Sequence, residues 1–260
     1  MLVSKKTINL DTMAAIPSVE LSVITITYNE KENIRLFIEA VNSIFTEHHL
    51  FGEIIVVDDN SPDGTAAVVE NLQKTYPQTT LIKRSGKLGI GSAYFTGTQA
   101  AQGRIIALLD ADLSHPPAIL PQLYSLAQEN KISWGSRYLG ATSFETDFTH
   151  RMGTSLLNGW VRFWLRTGMR DHTNGYLVLP KEILSAVLAY GETKNLHPFA
   201  HILYGITIAG IAKKLQIPSL EIKAPYKRRK HGETKIPFLW GVKVVFEDMA
   251  YTIKVFLKLR

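Results

Sequence analysis

The chain has 260 residues, of which 45% are hydrophobic and 20% charged, a composition typical of a folded globular protein and unlike that of a disordered or collagen-like one. It contains no cysteine, which excludes disulfides, thiolate metal sites and a cysteine nucleophile, and which favours a reducing compartment. The formal net charge of +6 favours an anionic partner such as a nucleotide, a phospholipid surface or a nucleic acid.

Neither a secretory leader nor a membrane-spanning helix is predicted. Residues 1–19 are mixed polar and lack the apolar core of a signal peptide, so we interpret them as a flexible N-terminal tail. Two apolar stretches remain. His201–Ala212 is too short to span a bilayer, and Pro237–Leu259 contains five charged residues.

Strand and helix patterns alternate through the first half of the chain. Short, β-branched apolar runs predict buried strands at 21–28, 53–58, 79–84 and 104–110. Amphipathic patterns between them predict helices at 32–45, 64–76 and 91–102. Regular alternation predicts an α/β fold, with a mostly parallel sheet covered by helices on both faces. Such sheets bind their ligands at the carboxyl ends of the strands.

The second half is less regular. Residues 156–169 combine aromatic and basic side chains, 181–190 and 199–213 have helical patterns, and 216–226 resembles an extended segment with proline near its ends. The segment 237–259 has a narrow polar stripe, including Lys254, on an otherwise apolar helical pattern.

The stretch VVDDNSPDGT, residues 56–65, permits two interpretations. From Asp59 to Glu70 its oxygen-bearing residues and its glycine match the spacing of an EF-hand calcium loop. That loop must lie between two helices, whereas a strand pattern comes first here, and Pro62 fixes a φ angle that the calcium loop needs free. We therefore predict a strand end, followed by a helix with Ser61 as N-cap and Pro62 as its first residue.

A second acidic pair follows the fourth predicted strand. Residues two apart in an extended chain point to the same side, so the carboxylates of Asp110 and Asp112 converge beyond the strand end. A divalent cation relieves their repulsion, and Mg²⁺ or Mn²⁺ prefers such oxygens together with substrate phosphates. The alternative is a pair of helix-capping aspartates in front of HPPAIL, residues 115–120.

Five motifs lie in order between residues 20 and 140. They are TYNE (27–30), VVDDNSPDGT (56–65), KLGIGSAY (87–94), LDADLSH (109–115) and GSRY (135–138). Together they resemble the GT-A-fold family 2 glycosyltransferases, in particular the dolichol-phosphate (polyprenol-phosphate) mannosyltransferases. The resemblance implies a GT-A fold, a Rossmann-like mixed sheet that is mostly parallel.

The resemblance also implies a nucleotide-sugar site. The residues that match its base and ribose positions are Thr27, Tyr28, Glu30 and Asp58. The diphosphate positions, with Mg²⁺ or Mn²⁺ held by the two aspartates, are Asp110, Ala111 and Asp112. A loop that closes over the diphosphate in the family matches RKHGETK (229–235) and contributes Arg229 and Lys235.

An acceptor site is implied in the second half. Its phosphate-binding candidates are Arg137, Arg151 and Ser155, and the catalytic set becomes Asp112, Arg137, Arg151 and Asp171. Three positions depart from the family's acceptor pattern, namely Leu177 in place of a basic residue, and Ala200 and Ile202 in place of a glutamine and a glutamate.

The reaction implied is a metal-dependent, inverting transfer of mannose from GDP-mannose to a polyprenyl or dolichyl phosphate. A phosphate acceptor is already an anion, so it needs positioning by arginines and no strong base. The departures in the acceptor half keep open an alternative enzyme of the same fold, which elongates a glycolipid or a lipid-linked oligosaccharide. A calcium-binding module, a nucleic-acid binder and an inactive nucleotide-binding subunit are the alternatives from other classes.

The predicted organisation has three parts. They are the tail (1–19), a catalytic domain (20–235) whose nucleotide-sugar half is 20–135 and acceptor half 136–235, and an amphipathic membrane-interface helix (236–260). The alternative for this helix is packing against the core or a partner subunit. We expect a monotopic enzyme on the cytoplasmic face of a membrane, with a membrane subunit or a second copy as protein partner. Nucleic acid is not expected, because no nucleic-acid-binding motif is recognisable.

Overall fold

The computed structural model describes residues 18–139, 148–226 and 238–260, with the side chains of the last two ranges described from 151 and 245 onwards. The strands in these ranges are β1 (Leu21–Thr27), β2 (Gly52–Asp58), β3 (Thr79–Lys83), β4 (Ile105–Leu108), β5 (Ile132–Ser136), β6 (Leu177–Pro180) and β7 (Ser219–Lys223). The α-helices are α1 (Lys31–Glu47), α2 (Thr65–Leu72), α3 (Ile90–Ala100), α4 (Leu120–Gln128), α5 (Phe148–Leu165), α6 (Lys181–Thr193), α7 (Tyr204–Lys214) and α8 (Phe238–Leu259).

The strands form one mixed sheet in the order β3-β2-β1-β4-β6-β5-β7. The first four strands of the chain are mutually parallel, as their sequence pattern predicts. Strand β6 runs antiparallel to both of its neighbours, β4 and β5, whereas β7 lies parallel to β5. The predicted α/β class is therefore confirmed, and the sheet joins a parallel half to a mixed half at β4 and β6.

Alternation along the central strands creates a separate core on each face of the sheet. In β2, Ile54 and Val56 belong to one buried cluster, and Ile55 and Val57 belong to the other. Helices α1, α2 and α4 cover the first cluster, and α3 and α5 to α8 cover the second. All four side chains are fully buried, which explains why the strand reads as a continuous apolar run.

The C-terminal helix α8 is part of this second core. Val255 is fully buried and Leu259 nearly so, and both belong to the same cluster as residues of α5 and α7. One face of the helix therefore packs on the catalytic domain. No helix in the described ranges is long and apolar enough to cross a membrane.

Two predicted boundaries are wrong. Helix α2 begins at Thr65, with Gly64 in the left-handed region at φ 89°, so neither Ser61 nor Pro62 starts a helix. The predicted helix 199–213 is divided into a short 3₁₀ turn (Pro198–Ala200) and α7. The calcium-loop alternative fails, because strand β2 and not a helix precedes the acidic residues.

Candidate active site

The carboxyl ends of β1 and β2 lie side by side and present the first acidic site residues. Thr27 and Asp58 are paired in register at these ends, and the Thr27 hydroxyl donates to Asp58 Oδ1 at 2.8 Å. Ser61 donates twice to the same carboxylate, from its backbone N–H at 2.9 Å and from its hydroxyl at 2.6 Å. Asp58 is buried, and its hydrogen bonds to Thr27 and Ser61 hold the loop after β2 against the end of β1.

The loops after β1 and β2 are joined by hydrogen bonds between them. The backbone N–H of Glu30 donates to the Thr65 hydroxyl at 3.0 Å, and the backbone N–H of Lys31 donates to Asp63 Oδ2 at 3.1 Å. Asp63 also accepts from Thr65, and these bonds lower the pKa of its carboxyl although burial opposes them. The first turns of α1 and α2 are thus fixed relative to each other beside the strand ends.

Tyr28 lies at the open side of these loops. Its ring is half-exposed, and the ammonium of Lys87 lies 4.6 Å from the ring centroid. Lys87 precedes α3, so the loop from β3 reaches the aromatic residue of the TYNE motif. Sequence reasoning missed Lys87, and its place inside the KLGIGSAY motif was the available signal.

Arg84, at the end of β3, is a second residue that sequence reasoning missed. Its guanidinium forms a buried ion pair with Asp59 and donates to the Ser92 hydroxyl at 2.8 Å. It thereby joins the end of β2 to the first turn of α3. The signal was a basic residue directly at the end of a predicted strand.

The aspartate pair lies beyond β4, as predicted from the DADLSH motif. The Asp110 side chain is 41% exposed, and its Oδ1 accepts a hydrogen bond from the Tyr94 hydroxyl at 2.7 Å. Asp112 is buried, and its Oδ1 accepts from the Ser114 backbone N–H at 2.9 Å, across a turn in which Leu113 has φ 59°. One aspartate therefore faces solvent while the other also shapes the turn.

These two aspartates suit a hard divalent cation, because carboxylate oxygens are the ligands that Mg²⁺ and Mn²⁺ prefer and because one or two of them suffice when phosphate oxygens complete the coordination. Among the residues that the structure describes, no group of three or more His, Cys, Asp or Glu side chains is arranged to hold a metal ion. The candidate ligands from the protein are therefore this pair.

His115 occupies the space between the aspartate pair and the second half of the sheet. Burial lowers the pKa of its imidazole, while Asp110 and Asp112 act in the opposite direction. Its Nδ1 lies 3.6 Å from Asp110 Oδ2, and its ring lies 5.6 Å from that of Tyr226. The ring is thus a neutral wall of the site at neutral pH.

Arg137 and Asp171 form a buried ion pair in the second half. Arg137 follows β5 and donates from Nε and Nη2 to the two oxygens of Asp171, each at 2.8 Å. Asp171 also accepts from Thr173 and from the side-chain amide of Asn158 on α5. Burial would raise the pKa of Asp171, but the charge and hydrogen bonds of Arg137 lower it.

Further contacts hold the Arg137–Asp171 pair in place. Glu221 on β7 accepts from the backbone N–H groups of Arg170 and Asp171, both at 2.8 Å. The Arg137 guanidinium lies 5.9 Å from the Tyr138 ring and 5.8 Å from the Tyr226 ring. Sequence reasoning missed Asn158, although it ends the stretch RMGTSLLN (151–158) from which Arg151 and Ser155 were taken, and it missed Glu221, whose contact with Asp171 spans 50 positions.

The other predicted acceptor residues lie on the outer side of α5. Arg151 and Ser155 are exposed, and the Ser155 hydroxyl is 3.4 Å from the Tyr138 hydroxyl, which itself lies 2.7 Å from Thr154 Oγ1. These contacts connect α5 to the turn after β5 that contains Arg137 and Tyr138. Arg229 and Lys235 lie outside the described residues.

The two halves of the site meet at Gly175, four residues after Asp171. A Cβ atom built at Gly175 would lie 3.7 Å from Asp110 Oδ2 and 3.2 Å from the Tyr204 hydroxyl. Ala111 is buried between the two aspartates. The structure thus brings the aspartate pair and the segment that carries Asp171 to one edge of the sheet, where the strand pattern predicts a ligand site.

A mixed α/β sheet of this order, with an aspartate pair beyond its fourth strand, defines the GT-A class of glycosyltransferases. The chain belongs to the Glycosyl transferase family 2, whose family model matches residues 22–186. The predicted family and enzyme class are therefore confirmed.

Three curated relatives are 31–33% identical to this chain over the aligned residues. The dolichol-phosphate mannosyltransferase of Pyrococcus furiosus is 31% identical over 222 residues, which are 84% of this chain and 59% of the relative. The polyprenol monophosphomannose synthase of Mycolicibacterium smegmatis is 33% identical over 66% of this chain and 65% of its own length. The dolichol-phosphate mannosyltransferase of Saccharomyces cerevisiae is 31% identical over 89% of this chain and 81% of the relative. The chain spans less than two thirds of the length of the first two.

Solved structures share the fold. A mannosyltransferase from Pyrobaculum calidifontis in complex with GDP-Man and Mn²⁺ has a TM-score of 0.55 and 18% identity, covering 94% of this chain and 74% of its own. Glucosyl-3-phosphoglycerate synthase from Mycobacterium tuberculosis, in complex with Mn²⁺, UDP and phosphoglyceric acid, has a TM-score of 0.60 and 16% identity, covering 92% and 78%. These likenesses confirm the predicted GT-A fold.

Proposed function

We propose that this protein transfers mannose from GDP-mannose to a polyprenyl or dolichyl phosphate, with inversion at the anomeric carbon and dependence on Mg²⁺ or Mn²⁺. The observation that carries the proposal is the meeting of the aspartate pair with the Arg137–Asp171 segment, across His115 and Gly175. The relatives named as dolichol-phosphate mannosyltransferases support the choice of donor and acceptor.

The donor would lie along the ends of β1, β2 and β4. Thr27, Tyr28, Glu30 and Asp58 would hold the base and ribose, because their loops are fixed to one another by the hydrogen bonds described above. Asp110 and Asp112 would hold the divalent cation, which when bound neutralises charge on the leaving diphosphate. We also assign Arg229 and Lys235 to this diphosphate.

The acceptor would approach from the side of α5. Arg151 and Ser155 are exposed there and can receive a phosphate, while Arg137 contributes positive charge from beneath. Asp171 holds Arg137 in its orientation, since both carboxylate oxygens already accept hydrogen bonds from it. A phosphate oxygen attacks directly as an anion, so no protein group has to remove a proton, and a single displacement inverts the anomeric centre.

An apolar surface on the α5–α8 helix pair suits a membrane. Its exposed members are Met152 (59% exposed), Leu156 (61%) and Phe163 (71%) on α5, and Phe246 (68%) and Leu257 (61%) on α8. On each helix these residues are spaced by whole turns, so they form one stripe per helix. Trp160 donates to the Met249 carbonyl at 3.0 Å and Trp164 packs on Phe256, so the helices touch beside the stripes.

Basic residues border this surface. Arg151 and Arg162 are exposed on α5, Arg166 is exposed directly after it, and Lys254 is exposed on α8. An apolar face with cationic margins binds anionic bilayers, so we propose that this surface places the enzyme on a membrane without a spanning segment. We propose the cytoplasmic face, because the chain lacks cysteine. The helical pattern of 237–259 also places Phe238, Leu239 and Trp240 on the apolar side of this helix, and their side chains lie outside the described residues.

The function is tested by transfer from labelled GDP-mannose, with Mn²⁺, to polyprenyl phosphate and, separately, to a lipid-linked oligosaccharide. Asp112→Asn is the informative variant, because the amide oxygen can still accept from Ser114 while the charge is lost. Glu129→Gln, at an exposed carboxylate on α4, is the matched control. We expect product on polyprenyl phosphate only, and a loss of about 10²- to 10³-fold in Asp112→Asn. Product on neither acceptor, or an unaffected Asp112→Asn enzyme, contradicts the proposal.

A further inference from the structure

The carboxylate of Asp110 is contacted on three sides, by Tyr94, His115 and Gly175, and Tyr94 has not yet been given a role. The Tyr94 hydroxyl donates to its Oδ1 at 2.7 Å, and Nδ1 of His115 lies 3.6 Å from its Oδ2. The backbone of Gly175 closes the third side, since even a Cβ there would lie 3.7 Å from Oδ2. This arrangement limits the orientations that the carboxylate can adopt.

Tyr94 itself is rigid. It is fully buried on α3, and its ring contacts the edge of Tyr204 with the centroids 5.1 Å apart. The Tyr204 hydroxyl donates to the Gly175 carbonyl at 2.8 Å, so both rings are fixed to the segment that precedes β6.

The hydrogen bond between Tyr94 and Asp110 joins a fully buried side chain to one that is 41% exposed. A half-exposed carboxylate on a loop after a strand samples several rotamers, whereas a buried tyrosine on a packed helix has one. A charge-assisted hydrogen bond from the rigid group therefore fixes the mobile one. With Oδ1 engaged by the Tyr94 hydroxyl, Oδ2 is the oxygen of this half-exposed carboxylate that remains for a cation.

We propose that Tyr94 is a positioning residue that orients the Asp110 carboxylate so that Oδ2 is presented to the divalent cation. The inference rests on the metal-dependent function proposed above. Residues that hydrogen-bond a metal ligand usually change metal affinity or activity by about 10- to 100-fold when they are lost. A positioning role predicts that this change appears in cation binding itself, before any donor or acceptor is added.

The test is a titration of the protein with Mn²⁺ alone, followed by electron paramagnetic resonance, for wild type, Tyr94→Phe and Tyr124→Phe. Tyr94→Phe keeps the ring and removes only the donor. Tyr124 is also buried but lies on α4, near Glu20 and Arg104 at the amino ends of β1 and β4. We expect Mn²⁺ affinity to fall about 10- to 100-fold in Tyr94→Phe and to stay within twofold in Tyr124→Phe.

A rescue separates positioning from a general loss of structure. p-Aminophenylalanine, introduced at position 94 by nonsense suppression, restores an N–H donor at the same place on the ring, and we expect it to recover most of the Mn²⁺ affinity. A Tyr94→Phe affinity within twofold of wild type overturns the positioning role alone. Failure of the rescue in a variant with the wild-type melting temperature overturns it as well. If wild type binds no Mn²⁺, the proposed metal site itself fails.

Discussion

Asp58 in the first half of the sheet and Asp171 in the second half are held by different means. Asp58, which is buried, and the partly exposed Asp63 accept hydrogen bonds from hydroxyls and backbone N–H groups, mostly within their own loops, while the neighbouring Asp59 forms an ion pair with Arg84. In the second half, Asp171 lies against the guanidinium of Arg137, and both side chains are buried. A site that combines the two halves thus depends on two kinds of electrostatic support.

The difference teaches where the site is vulnerable. Hydrogen bonds to neutral donors form as soon as the local loop folds, and losing one leaves a small cost. A buried ion pair carries a large desolvation penalty that is offset only while both partners are present. Asp171 should therefore be more sensitive than Asp58 to a change that removes its charge.

The largest effect is expected for Asp171→Asn. The substitution leaves the buried guanidinium of Arg137 without its counter-charge, which costs about 3–5 kcal/mol of unfolding free energy. Urea denaturation followed by circular dichroism measures it. The exposed-site variant Glu129→Gln is the control, and a loss below 1 kcal/mol in Asp171→Asn would mean that the pair carries little of the stability.

Asp58→Asn is the corresponding change in the donor half. The carboxylate accepts from Thr27 and Ser61, and an asparagine retains one acceptor oxygen while presenting an amide to donors on the other side. We expect a loss of about 1.5–3 kcal/mol, smaller than that of Asp171→Asn. The same urea titration compares the two variants directly. Equal losses of unfolding free energy would remove the distinction between Asp58 and Asp171.

A dependence of stability on pH is expected from α8. Asp248 is buried, and burial, with Glu247 nearby, raises its pKa from 3.8 to about 7. Between these two values the folded state holds a proton that the unfolded state lacks, so the unfolding free energy contributed by this group falls as pH rises from about 4 to 7. Asp248→Asn removes the fall, and we expect it to be about 1–2 kcal/mol more stable than wild type at pH 8.

The neighbouring groups set the control for this measurement. His201 Nε2 lies 3.4 Å from Asp248, and Tyr251 and Lys254 lie on the same helix. Burial lowers the pKa of His201 from 6.5, so its own contribution to stability rises with pH and opposes that of Asp248. In His201→Gln the unfolding free energy should therefore fall more steeply with pH than in wild type. An unfolding free energy that stays constant from pH 5 to 8 in both proteins would refute the raised pKa of Asp248.

The smallest effect on stability is expected on the surface that we propose binds the membrane. Leu156→Ser with Phe163→Ser removes two exposed side chains, so the unfolding free energy should change by less than about 0.5 kcal/mol. Binding to vesicles of phosphatidylglycerol and phosphatidylcholine should fall at least about tenfold. Phe51→Ser, an exposed aromatic elsewhere, is the control in sedimentation assays. Undiminished sedimentation of the double variant would contradict the surface.

The parallel half was predictable because its signals are local. Four continuous β-branched runs gave β1 to β4, and motif acids at their ends gave Asp58, Asp110 and Asp112. The helix start at Ser61 and Pro62 was predicted wrongly, since Asp58 uses Ser61 as a hydrogen-bond donor and the turn continues to Gly64. A favourable capping sequence was overridden by a contact with the preceding strand.

The second half could be predicted only in part. The support of Arg137 by Asp171, Asn158 and Glu221 joins residues up to 50 positions apart, so no window of sequence contains it. Helix α8 presented a single apolar pattern, yet the structure divides its apolar residues between the core, as for Val255, and solvent, as for Phe246. When most of a helix surface is apolar, the side that is buried depends on the helices that pack against it, here α5 and α7.

Gly91, in the first turn of α3, packs directly against the backbone of the second half of the chain. A Cβ there would lie 2.2 Å from the carbonyl oxygen of Phe199 and 2.8 Å from that of His201. Both are backbone atoms, so no side chain can rotate away to make room. In a saturation library this position should therefore tolerate no replacement, alanine included, although it carries no chemical group of its own. The tolerance of position 91 to substitution therefore measures whether the two halves must remain in this close contact.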